Sequence, residues 1–590
     1  MGVSEMNEEM DLIIRNGTLY DGRGNPGVKA DIAVKDGVIK SIGLIEASAK
    51  EEIDAQGKIV TPGFVDIHTH YDGQVTWGNR LSPSSAHGVT TVVMGNCGVG
   101  FAPCKPADHE MLISLMEGVE DIPGVVLNEG LKWDWETLPE FLDNLEGKAY
   151  DMDFAAQVTH APLRVYVMGQ RGADREDATD EDIALMAKLA KEGVEAGALG
   201  FTTSRTINHR TSEGDPTPTL TASKKELVGI AKGLQQAGKG VLQLVSDFKN
   251  FEEEVDLMRS MAEESGRPLS VSLAQSDKYP LSYREVLKEI EKAQDDGLSM
   301  TAQVCGRAVG VVMGLDTSLC PLSLSKTYRE LSDESLEIES LESESLGYRV
   351  AQLKDQLIRQ QIIDEVESSE HPSRRMVLNF PKMFILGNPP QYEQAEDQSI
   401  ARLAEVSGKH PVEVAIDAML EDEGKGVLYM AFLNYAFGNL EPSLEMMKHP
   451  YSVMGLADGG AHVGLICDAS FPTSMLSHWT RDRIRGEKLS LEYAIQCYTK
   501  DSAEVVGLYD RGILDVGYKA DINVIDYENL NLHRPEIIWD LPAGGKRLVQ
   551  LADGYDATIV NGAITYKKGK ATDALPGRLI RGAKSTPAIS

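Results

Sequence analysis

The sequence predicts an α/β protein, a TIM-like (β/α)8 barrel with a small β-sandwich domain formed from both chain ends. Two patterns predict this fold. A long middle section alternates apolar strands with amphipathic helices, and short segments of alternating apolar and polar residues flank it on both sides. At 590 residues, the chain is also long enough for a large barrel with one or two satellites.

Residues 1–61 are predicted to form the N-terminal part of the small β domain. Apolar and polar positions alternate between about residues 10 and 60, and Asn-Gly and Asp-Gly pairs there are typical of hairpins. The same pattern returns in residues 511–590. We therefore expect the two chain ends to share one small sheet domain.

Residues 62–510 are predicted to form the barrel. Amphipathic helices, such as those over 180–196 and 282–296, separate apolar strands. Repeated β-then-α units predict a parallel sheet with helices outside, and about eight repeats favour a closed barrel. The candidate strands are 89–95, 153–159, 197–201, 240–245, 268–274, 299–304 and 451–457.

One stretch within an expected insertion near 325–375 interrupts this alternation. Residues 331–370 are acidic at first and then helical. This pattern fits a lid, an oligomer arm in a homo-oligomer, or a solvated surface excursion.

The charge balance restricts the partners of the protein. The formal net charge is −33, so nucleic acids and anionic membranes would be repelled. We expect neither as a partner. The six cysteines are scattered without a CxxC pair, which favours a reducing compartment and predicts a cytoplasmic protein.

His68 and His70 are the strongest candidates for metal ligands. They lie in VDIHTH, a predicted strand in which residues two apart point to the same side. This strand is the first after the β module, and barrel active sites gather at the carboxyl ends of the strands. The pair is therefore predicted to bind one cation.

Cys97 and Asp458 complete the predicted metal site. Cys97 follows the strand VTTVVMG within a Gly-Asn-Cys-Gly turn, and a thiolate is a good ligand for Zn²⁺. Asp458 ends a late strand, where a carboxylate can bind the metal and accept a proton from water. Asp458 is thus the predicted catalytic residue as well as a ligand.

Other polar residues near predicted strand ends are candidates for binding the substrate. Arginine grips carboxylates bidentately, so an arginine in a barrel-top loop predicts a small-molecule substrate that carries a carboxylate. The substrate-binding candidates are His160, Arg205, His209, Arg210, Arg307 and His462.

The chain resembles the amidohydrolase superfamily, and within it the N-acyl-D-amino-acid deacylase (D-aminoacylase) group, over roughly residues 10–570. The resemblance implies a hydrolase that cleaves the amide of an N-acyl-D-amino acid, with His68, His70 and Asp458 holding the reactive metal. Cys97 would stand where other amidohydrolases have a bridging carboxylated lysine. The matching blocks are TPGFVDIHTHYDGQ, HGVTTVVMGNCGVGFAP, AAQVTHAPLRVYVMG, EAGALGFTTSR, DGGAHVG and TKDSAEVVGLYDRGILDVGYKADINVID.

The chain departs from that group at the second metal site. D-aminoacylases carry two further histidines at the ends of the fifth and sixth strands, where this chain has Val245 and Leu273 nearby. Apolar side chains do not bind Zn²⁺, so the second site is predicted to be lost, or rebuilt from Gln243, Asp247 or Gln275. We expect one Zn²⁺ per chain, with a second weak site left open.

Three functions remain open from the sequence. The first is hydrolysis of an N-acyl amino acid or a related amide. The second is an amidohydrolase that acts on another bond, in a cyclic amide, a lactone or a small peptide. The third is a non-catalytic scaffold, and the joint presence of His68, His70, Cys97 and Asp458 argues against it.

Overall fold

The computed structural model describes residues 9–331 and 342–588. Its strands are Met10–Leu19 (β1), Val28–Lys35 (β2), Val38–Gly43 (β3), Ala49–Asp54 (β4), Ile59–Pro62 (β5), Phe64–Asp66 (β6), Val89–Met94 (β7), Asp153–Ala156 (β8), Val158–Thr159 (β9), Gly200–Arg205 (β10), Val241–Ser246 (β11), Leu269–Ser272 (β12), Met300–Val304 (β13), Val309–Met313 (β14), Met383–Leu386 (β15), Val427–Leu433 (β16), Ser452–Met454 (β17), Ile522–Ile525 (β18), Asn531–Leu532 (β19), Glu536–Leu541 (β20), Gly545–Val549 (β21), Ala552–Asp553 (β22), Tyr555–Val560 (β23), Ala563–Lys567 (β24) and Lys570–Ala571 (β25).

The α-helices are Gln74–Trp77 (α1), His109–Glu120 (α2), Gly124–Gly130 (α3), Leu138–Glu146 (α4), His160–Met168 (α5), Gln170–Ala173 (α6), Asp180–Ala196 (α7), Lys224–Ala237 (α8), Phe251–Ser265 (α9), Ser282–Asp295 (α10), Lys326–Leu331 (α11), Glu342–Gln352 (α12), Gln356–Ser368 (α13), Arg374–Val377 (α14), Ile400–Ser407 (α15), Pro411–Met419 (α16), Glu421–Gly424 (α17), Glu441–Met447 (α18), Phe471–Ser474 (α19), Leu491–Gln496 (α20) and Ser502–Val505 (α21). Across the described ranges, we find no helix with both the length and the apolar composition needed to cross a bilayer.

The two chain ends share one sheet. Within the described residues its strand order is β25-β24-β23-β18-β5-β1-β2-β3, with β4 paired to β1. The seam between the ends is the antiparallel pair of β5 and β18, in which Val60 lies opposite Val524. Both valines are fully buried in the apolar cluster of this sheet, so hydrophobic burial joins the ends. Whether the sheet belongs to a sandwich stays a prediction.

The glycine pairs of the N-terminal segment have two different roles. Asp36-Gly37 has positive φ at both residues and connects β2 to β3, as expected for a tight hairpin. Asn16-Gly17 lies inside β1, where the register with β2 shifts, so the hairpin predicted there is wrong. A Cβ at Gly17 would lie 2.5 Å from Cγ2 of Val60. Glycine is therefore required there by a bulge and a close approach.

The middle of the chain carries the predicted parallel strands. In the described ranges they form two parallel sheets, β6-β7-β8 and β9-β10-β11-β12-β13-β17. Only Gln157 separates β8 from β9, and an isolated parallel bridge joins Thr69 to Gly459 beyond the ends of β6 and β17. The architecture is α/β. Closure of the two sheets into one barrel stays a prediction, because the strand pairing runs as two separate sheets.

The helices between these strands follow the predicted amphipathic pattern. Helix α7 covers the predicted range, and it begins with a capping box in which Thr179 and Asp182 satisfy each other's backbone N–H groups. Its apolar side faces the sheet, with Ile183 and Met186 buried. Helix α10 likewise ends within one residue of its predicted range.

An antiparallel unit interrupts the parallel strands between β13 and β17. Strands β14, β16 and β15 pair in that order and share a separate apolar cluster with the neighbouring helices. The predicted acidic stretch 331–370 belongs to this segment, and residues 332–341 of it lie outside the described residues. Helix α13 is not wholly solvated, because Ile362 and Val366 are fully buried.

A buried ion pair connects the sheet β6-β7-β8 to the segment that leads into β18. Asp153, the first residue of β8, accepts hydrogen bonds from Nη1 of Arg511 at 2.8 Å and Nζ of Lys519 at 2.6 Å. Nη1 of Arg511 also donates to Oγ1 of Thr91 at 2.9 Å. Burial would raise the pKa of Asp153, but Lys519 and Arg511 hold it at about 2.

We predict that Asp153→Asn destabilises the protein by about 3 kcal/mol at pH 7, because a buried cation loses its carboxylate partner. The folded pKa lies below the unfolded value of about 3.9, so this stabilisation is present above pH ~4 and is lost as the pH falls towards 2. The difference between wild type and variant in urea unfolding should therefore shrink from pH 7 to pH 3. Asp180→Asn, which removes an exposed partner of Lys225, is the matched control and should change little. Equal effects of the two substitutions would contradict the prediction.

Candidate metal centre

Three strands carry the predicted metal ligands to one place. His68 and His70 follow β6, Cys97 follows β7, and Asp458 follows β17. The turn at Cys97 is tight. Its φ is 54°, between Gly95 at 83° and Gly98 at 70°. A Cβ at Gly98 would lie 3.0 Å from Cα of Thr203, so glycine lets this turn pack against β10.

The four side chains converge with the spacing of a metal site. The ligand atoms of His68, His70 and Cys97 all lie within 4.8 Å of one another. Nε2 of His68 is 3.4 Å from Sγ of Cys97, and Oδ1 of Asp458 is 3.5 Å from Nε2 of both histidines. Ligands of one tetrahedral Zn²⁺ stand about 3.3–3.6 Å apart, given Zn–N and Zn–S bonds of about 2.0–2.3 Å. The contacts at 3.4–3.5 Å therefore fit one Zn²⁺, with His68, His70 and Cys97 as the compact group and Asp458 joined to it through the two histidines.

Outer partners orient both imidazole rings. Nδ1 of His68 lies 2.8 Å from Oε1 of Gln303, an oxygen that only accepts, so the ring carries its proton on Nδ1. Nδ1 of His70 lies 3.2 Å from Oε1 of Glu120. The hydrogen bond of His68 and the charge contact of His70, which lacks hydrogen-bond geometry, both leave Nε2 facing the candidate cation site.

Glu120 and Gln303 were not predicted from the sequence. Glu120 ends helix α2 and is 1% exposed, although an acidic residue in a helix is usually solvated. The sequence around Glu120 therefore gave no indication that this carboxylate is buried beside His70. Gln303 stands in the otherwise mostly apolar strand β13 and is buried, and a polar residue in such a strand is a weak signal of this role.

Burial dominates the electrostatics of the site. It raises the pKa of the Cys97 thiol to about 12 and that of Glu120 to about 7. It lowers the pKa of His68 to about 4. Burial would also raise the pKa of Asp458, but the two neighbouring histidines hold it well below its usual range. A thiol of this kind becomes a thiolate ligand when a cation supplies the missing positive charge.

Two of the predicted substrate-binding residues lie beside this cluster. Nε2 of His462 is 3.6 Å from Oε2 of Glu120. His209 is half-buried, and its Nδ1 lies 2.9 Å from Oγ of Ser204. Burial and the nearby imidazoles of His462 and His70 lower the pKa of His209 to about 3. His209 therefore stays neutral at the border of the site.

His160 belongs to a separate buried network. Its Nδ1 lies 2.7 Å from Oγ1 of Thr203, and its Nε2 lies 2.9 Å from Oε1 of Glu226. Arg164 donates to the same carboxylate oxygen at 2.8 Å. The structure thus gives both ring nitrogens of His160 protein partners.

The three predicted arginines have protein partners of their own. Arg205 donates to both carboxylate oxygens of Glu254 at 2.7–2.9 Å. Arg307 is 1% exposed and donates to Oδ1 of Asp468 at 2.6 Å. Arg210 is exposed and donates to the carbonyl of Gly214 in its own loop. Arg210 is the most accessible of the three to a ligand from solution.

The residues proposed for a rebuilt second site are also engaged. Gln243 donates to Ser272, Asp247 accepts from Thr206, and Gln275 donates to the carbonyl of Pro280. Over residues 9–331 and 342–588, the His68, His70 and Cys97 group is the only cluster of three or more potential metal-binding side chains.

An internal cavity of about 110 Å³ reaches the outer partner of His68. Gln303 and Ser270 both line it, and Nε2 of Gln303 donates to Oγ of Ser270 at 2.9 Å. Val241, Leu269 and Ser299 also line this cavity, at the amino ends of strands β11–β13. It therefore lies on the side of the sheet away from the four ligands.

Comparison with known proteins identifies the family. Residues 51–566 match the amidohydrolase family, so the chain belongs to it and is a hydrolase of carbon–nitrogen bonds. It is 26% identical to an N-acyl-D-glutamate deacylase of Alcaligenes xylosoxydans xylosoxydans, over 98% of this chain and 97% of that protein. A D-aminoacylase of the same organism is 33% identical over 39% of this chain and 43% of that protein.

A solved structure shares the fold. The N-acyl-D-glutamate deacylase from Bordetella bronchiseptica, complexed with zinc and a phosphonate inhibitor, superposes with a TM-score of 0.63 at 23% identity. The alignment covers 97% of this chain and all of that chain. This likeness supports the α/β architecture described above.

We predict that the protein purified with Zn²⁺ holds about one ion per chain, because the described residues contain one cluster of potential metal ligands, formed by His68, His70 and Cys97, with Asp458 beside the two histidines. Cys97→Ala and His70→Ala should each lose most of that zinc when measured by elemental analysis after dialysis. Cys104→Ala, at another buried free cysteine, is the matched control and should keep it. Full zinc content in Cys97→Ala, or about two ions in the wild type, would contradict the prediction.

Proposed function

We propose that this amidohydrolase is a metal-dependent enzyme that cleaves the amide bond of an N-acyl amino acid, with a D-amino acid as the favoured class. One observation carries the proposal, namely that at the strand ends a thiol and two imidazoles lie within 4.8 Å of one another, with a carboxylate oxygen 3.5 Å from both imidazoles. The relatives named N-acyl-D-glutamate deacylase and D-aminoacylase support this substrate class. A cytoplasmic location is part of the same proposal.

The resident metal would be held by His68, His70, Cys97 and Asp458. Imidazole and thiolate donors favour Zn²⁺ over harder cations. When bound, the ion would supply Lewis acidity, which activates water at neutral pH and polarises the carbonyl of the scissile amide. One tight site is proposed, with a second weak site left open.

Asp458 is the proposed proton carrier. Its carboxyl group is ionised near neutral pH, so it can accept a proton from water whose acidity the bound metal would raise. Oδ1 faces the two histidines, which leaves Oδ2 to take the proton from the attacking water and pass it to the leaving nitrogen. Its side chain is 20% exposed, in contrast to the 1% of both histidines, so substrate and water can reach it.

The residues around this centre would hold the substrate. His462 and His209 border the cluster, and the neutral imidazole of His209 suits a hydrogen bond to an amide. Arg210 is the proposed partner of a substrate carboxylate, since guanidinium groups bind carboxylates bidentately. His160, Arg205 and Arg307 could bind the substrate only if it displaced or shared their carboxylate partners, which are Glu226, Glu254 and Asp468 respectively.

A second candidate substrate is a neutral amide, such as a cyclic amide, or a lactone or small peptide. The engagement of Arg205 with Glu254 and of Arg307 with Asp468 favours it, because two of the three candidate arginines are occupied. A non-catalytic scaffold is disfavoured, since the charged cluster is costly to bury without a function.

The proposed site also requires a closed fold. We propose that the sheets β6-β7-β8 and β9-β10-β11-β12-β13-β17 together form the (β/α)8 barrel. The bridge between Thr69 and Gly459 supports closure on the side of the metal centre. The shared terminal sheet is proposed as the small β-sandwich domain.

We predict that a screen of Zn²⁺-loaded protein against N-acyl-D-amino acids, N-acyl-L-amino acids and small lactams yields hydrolysis of an N-acyl-D-amino acid. Turnover should stop when a chelator removes the ion and return when Zn²⁺ is added back. Product amine is the quantity measured. Hydrolysis of lactams alone would favour the second candidate, and turnover that survives chelation would contradict the metal-dependent mechanism.

We predict that Arg210→Ala raises KM about 10-fold for an acidic substrate, because one charge-assisted hydrogen-bonded contact is lost. The KM should not change for the same substrate with its carboxylate replaced by a neutral carboxamide, since that compound has no carboxylate for Arg210 to bind. Arg402→Ala, at an exposed arginine that pairs with Glu405 on helix α15, serves as the control. An unchanged KM for the acidic substrate would remove Arg210 from the site.

A further inference from the structure

Glu120 is a buried carboxylate that faces two histidines at once. Oε1 lies 3.2 Å from Nδ1 of His70, and Oε2 lies 3.6 Å from Nε2 of His462. Neither oxygen has a hydrogen bond of good geometry in the described part of the chain. A buried carboxylate is costly unless charged or hydrogen-bonding partners satisfy it, so these two imidazoles are its natural partners.

The backbone around Glu120 holds the loop that carries Asp458. The carbonyl of Glu120 accepts a hydrogen bond from the backbone N–H of His462. The next residue, Asp121, accepts from the backbone N–H of Gly464 through Oδ2 at 3.1 Å. The end of helix α2 therefore contacts residues 462–464 through both main chain and side chains.

This loop has an unusual backbone. Leu456, Asp458 and His462 have φ values of 61°, 50° and 47°, in the left-handed region that non-glycine residues rarely adopt. Such conformations persist only where surrounding contacts over-determine them. The hydrogen bonds from the loop to Glu120 and Asp121 help to hold the loop in this conformation.

We propose that Glu120 is a positioning residue whose two carboxylate oxygens hold His70 and His462, so that it couples a metal ligand to the loop of Asp458. This inference rests on the proposed metal-dependent function. The negative charge of Oε1, 3.2 Å from Nδ1 of His70, favours a proton on Nδ1 and so leaves Nε2 to face the cation. Oε2 and the backbone carbonyl keep His462, whose side chain is 26% exposed, at the edge of the site.

The test measures metal binding directly, without a substrate. Zn²⁺ affinity is determined by competition with a chelator, and the visible absorption of the Co²⁺-loaded protein reports the coordination geometry. Glu120→Gln is expected to weaken Zn²⁺ binding by about 10- to 100-fold and to alter the Co²⁺ spectrum. Glu110→Gln, at an exposed acid on the same helix, is the matched control and should match the wild type in both measurements.

A double-variant cycle tests whether one carboxylate serves both histidines. His462→Gln is expected to cause a smaller loss of Zn²⁺ affinity, because it removes only one partner of Glu120. The variant carrying both substitutions should bind Zn²⁺ no more weakly than Glu120→Gln alone, since both changes act through the same group. Additive losses would overturn the proposed coupling.

The outcomes separate this inference from the proposed function. A wild-type protein that binds no Zn²⁺ overturns the proposed function itself. A wild type that binds Zn²⁺, with a Glu120→Gln variant of equal affinity and spectrum, overturns the positioning role alone. If Glu120→Gln fails to fold, Glu120→Asp retains the charge but retracts the carboxylate. An altered Co²⁺ spectrum in that variant supports the role, and an unaltered one overturns it.

Discussion

The parallel alignment of strands β6, β7 and β17 is the constraint on which the candidate metal centre depends. Parallel strands end at one edge of a sheet, and the parallel bridge between Thr69 and Gly459 aligns that edge in the two sheets, so residues that follow these strands are brought together however far apart they lie in the chain. His68, Cys97 and Asp458 are such residues. Since the bridge between Thr69 and Gly459 lies among them, the geometry of the ligands depends on how the first and last strands meet.

Burial of acidic groups is the second feature of the centre. Asp66, Asp72 and Glu120 lie near the histidines, and burial raises the pKa of each to about 7. Neighbouring negative charge adds to this effect, because Asp458 raises the pKa of both Asp66 and Glu120. Such a cluster is relieved by positive charge, which protonated imidazoles or a divalent cation can supply. The negative charge of the whole chain is thus matched by a cluster of buried acidic groups beside the candidate metal ligands.

The sequence was sufficient to predict that His68, His70, Cys97 and Asp458 converge, and to predict most of the parallel strands, because both follow from simple periodicity. His68 and His70 are two apart in a strand, and Cys97 and Asp458 follow strand ends, so their convergence needed no tertiary information. Glu120 could not be found this way, because a buried acid at a helix end has the same local pattern as a solvated one. The partners of Arg205 and Arg307 were equally hidden, since Glu254 and Asp468 reach them only through tertiary packing. The Asn16-Gly17 pair was misjudged because a bulge and a hairpin use the same residues, and only the contact with Val60 distinguishes them.

The amide of Gln303 connects the two sides of the parallel sheet. Its oxygen lies 2.8 Å from the ring of His68, and its nitrogen donates to Ser270, which borders the internal cavity. A change that fills or reshapes this cavity would move the amide, and the amide would turn the imidazole. Residues at the amino ends of β11–β13, on the far side of the sheet from the four candidate ligands, are therefore positions from which the orientation of His68 can be changed.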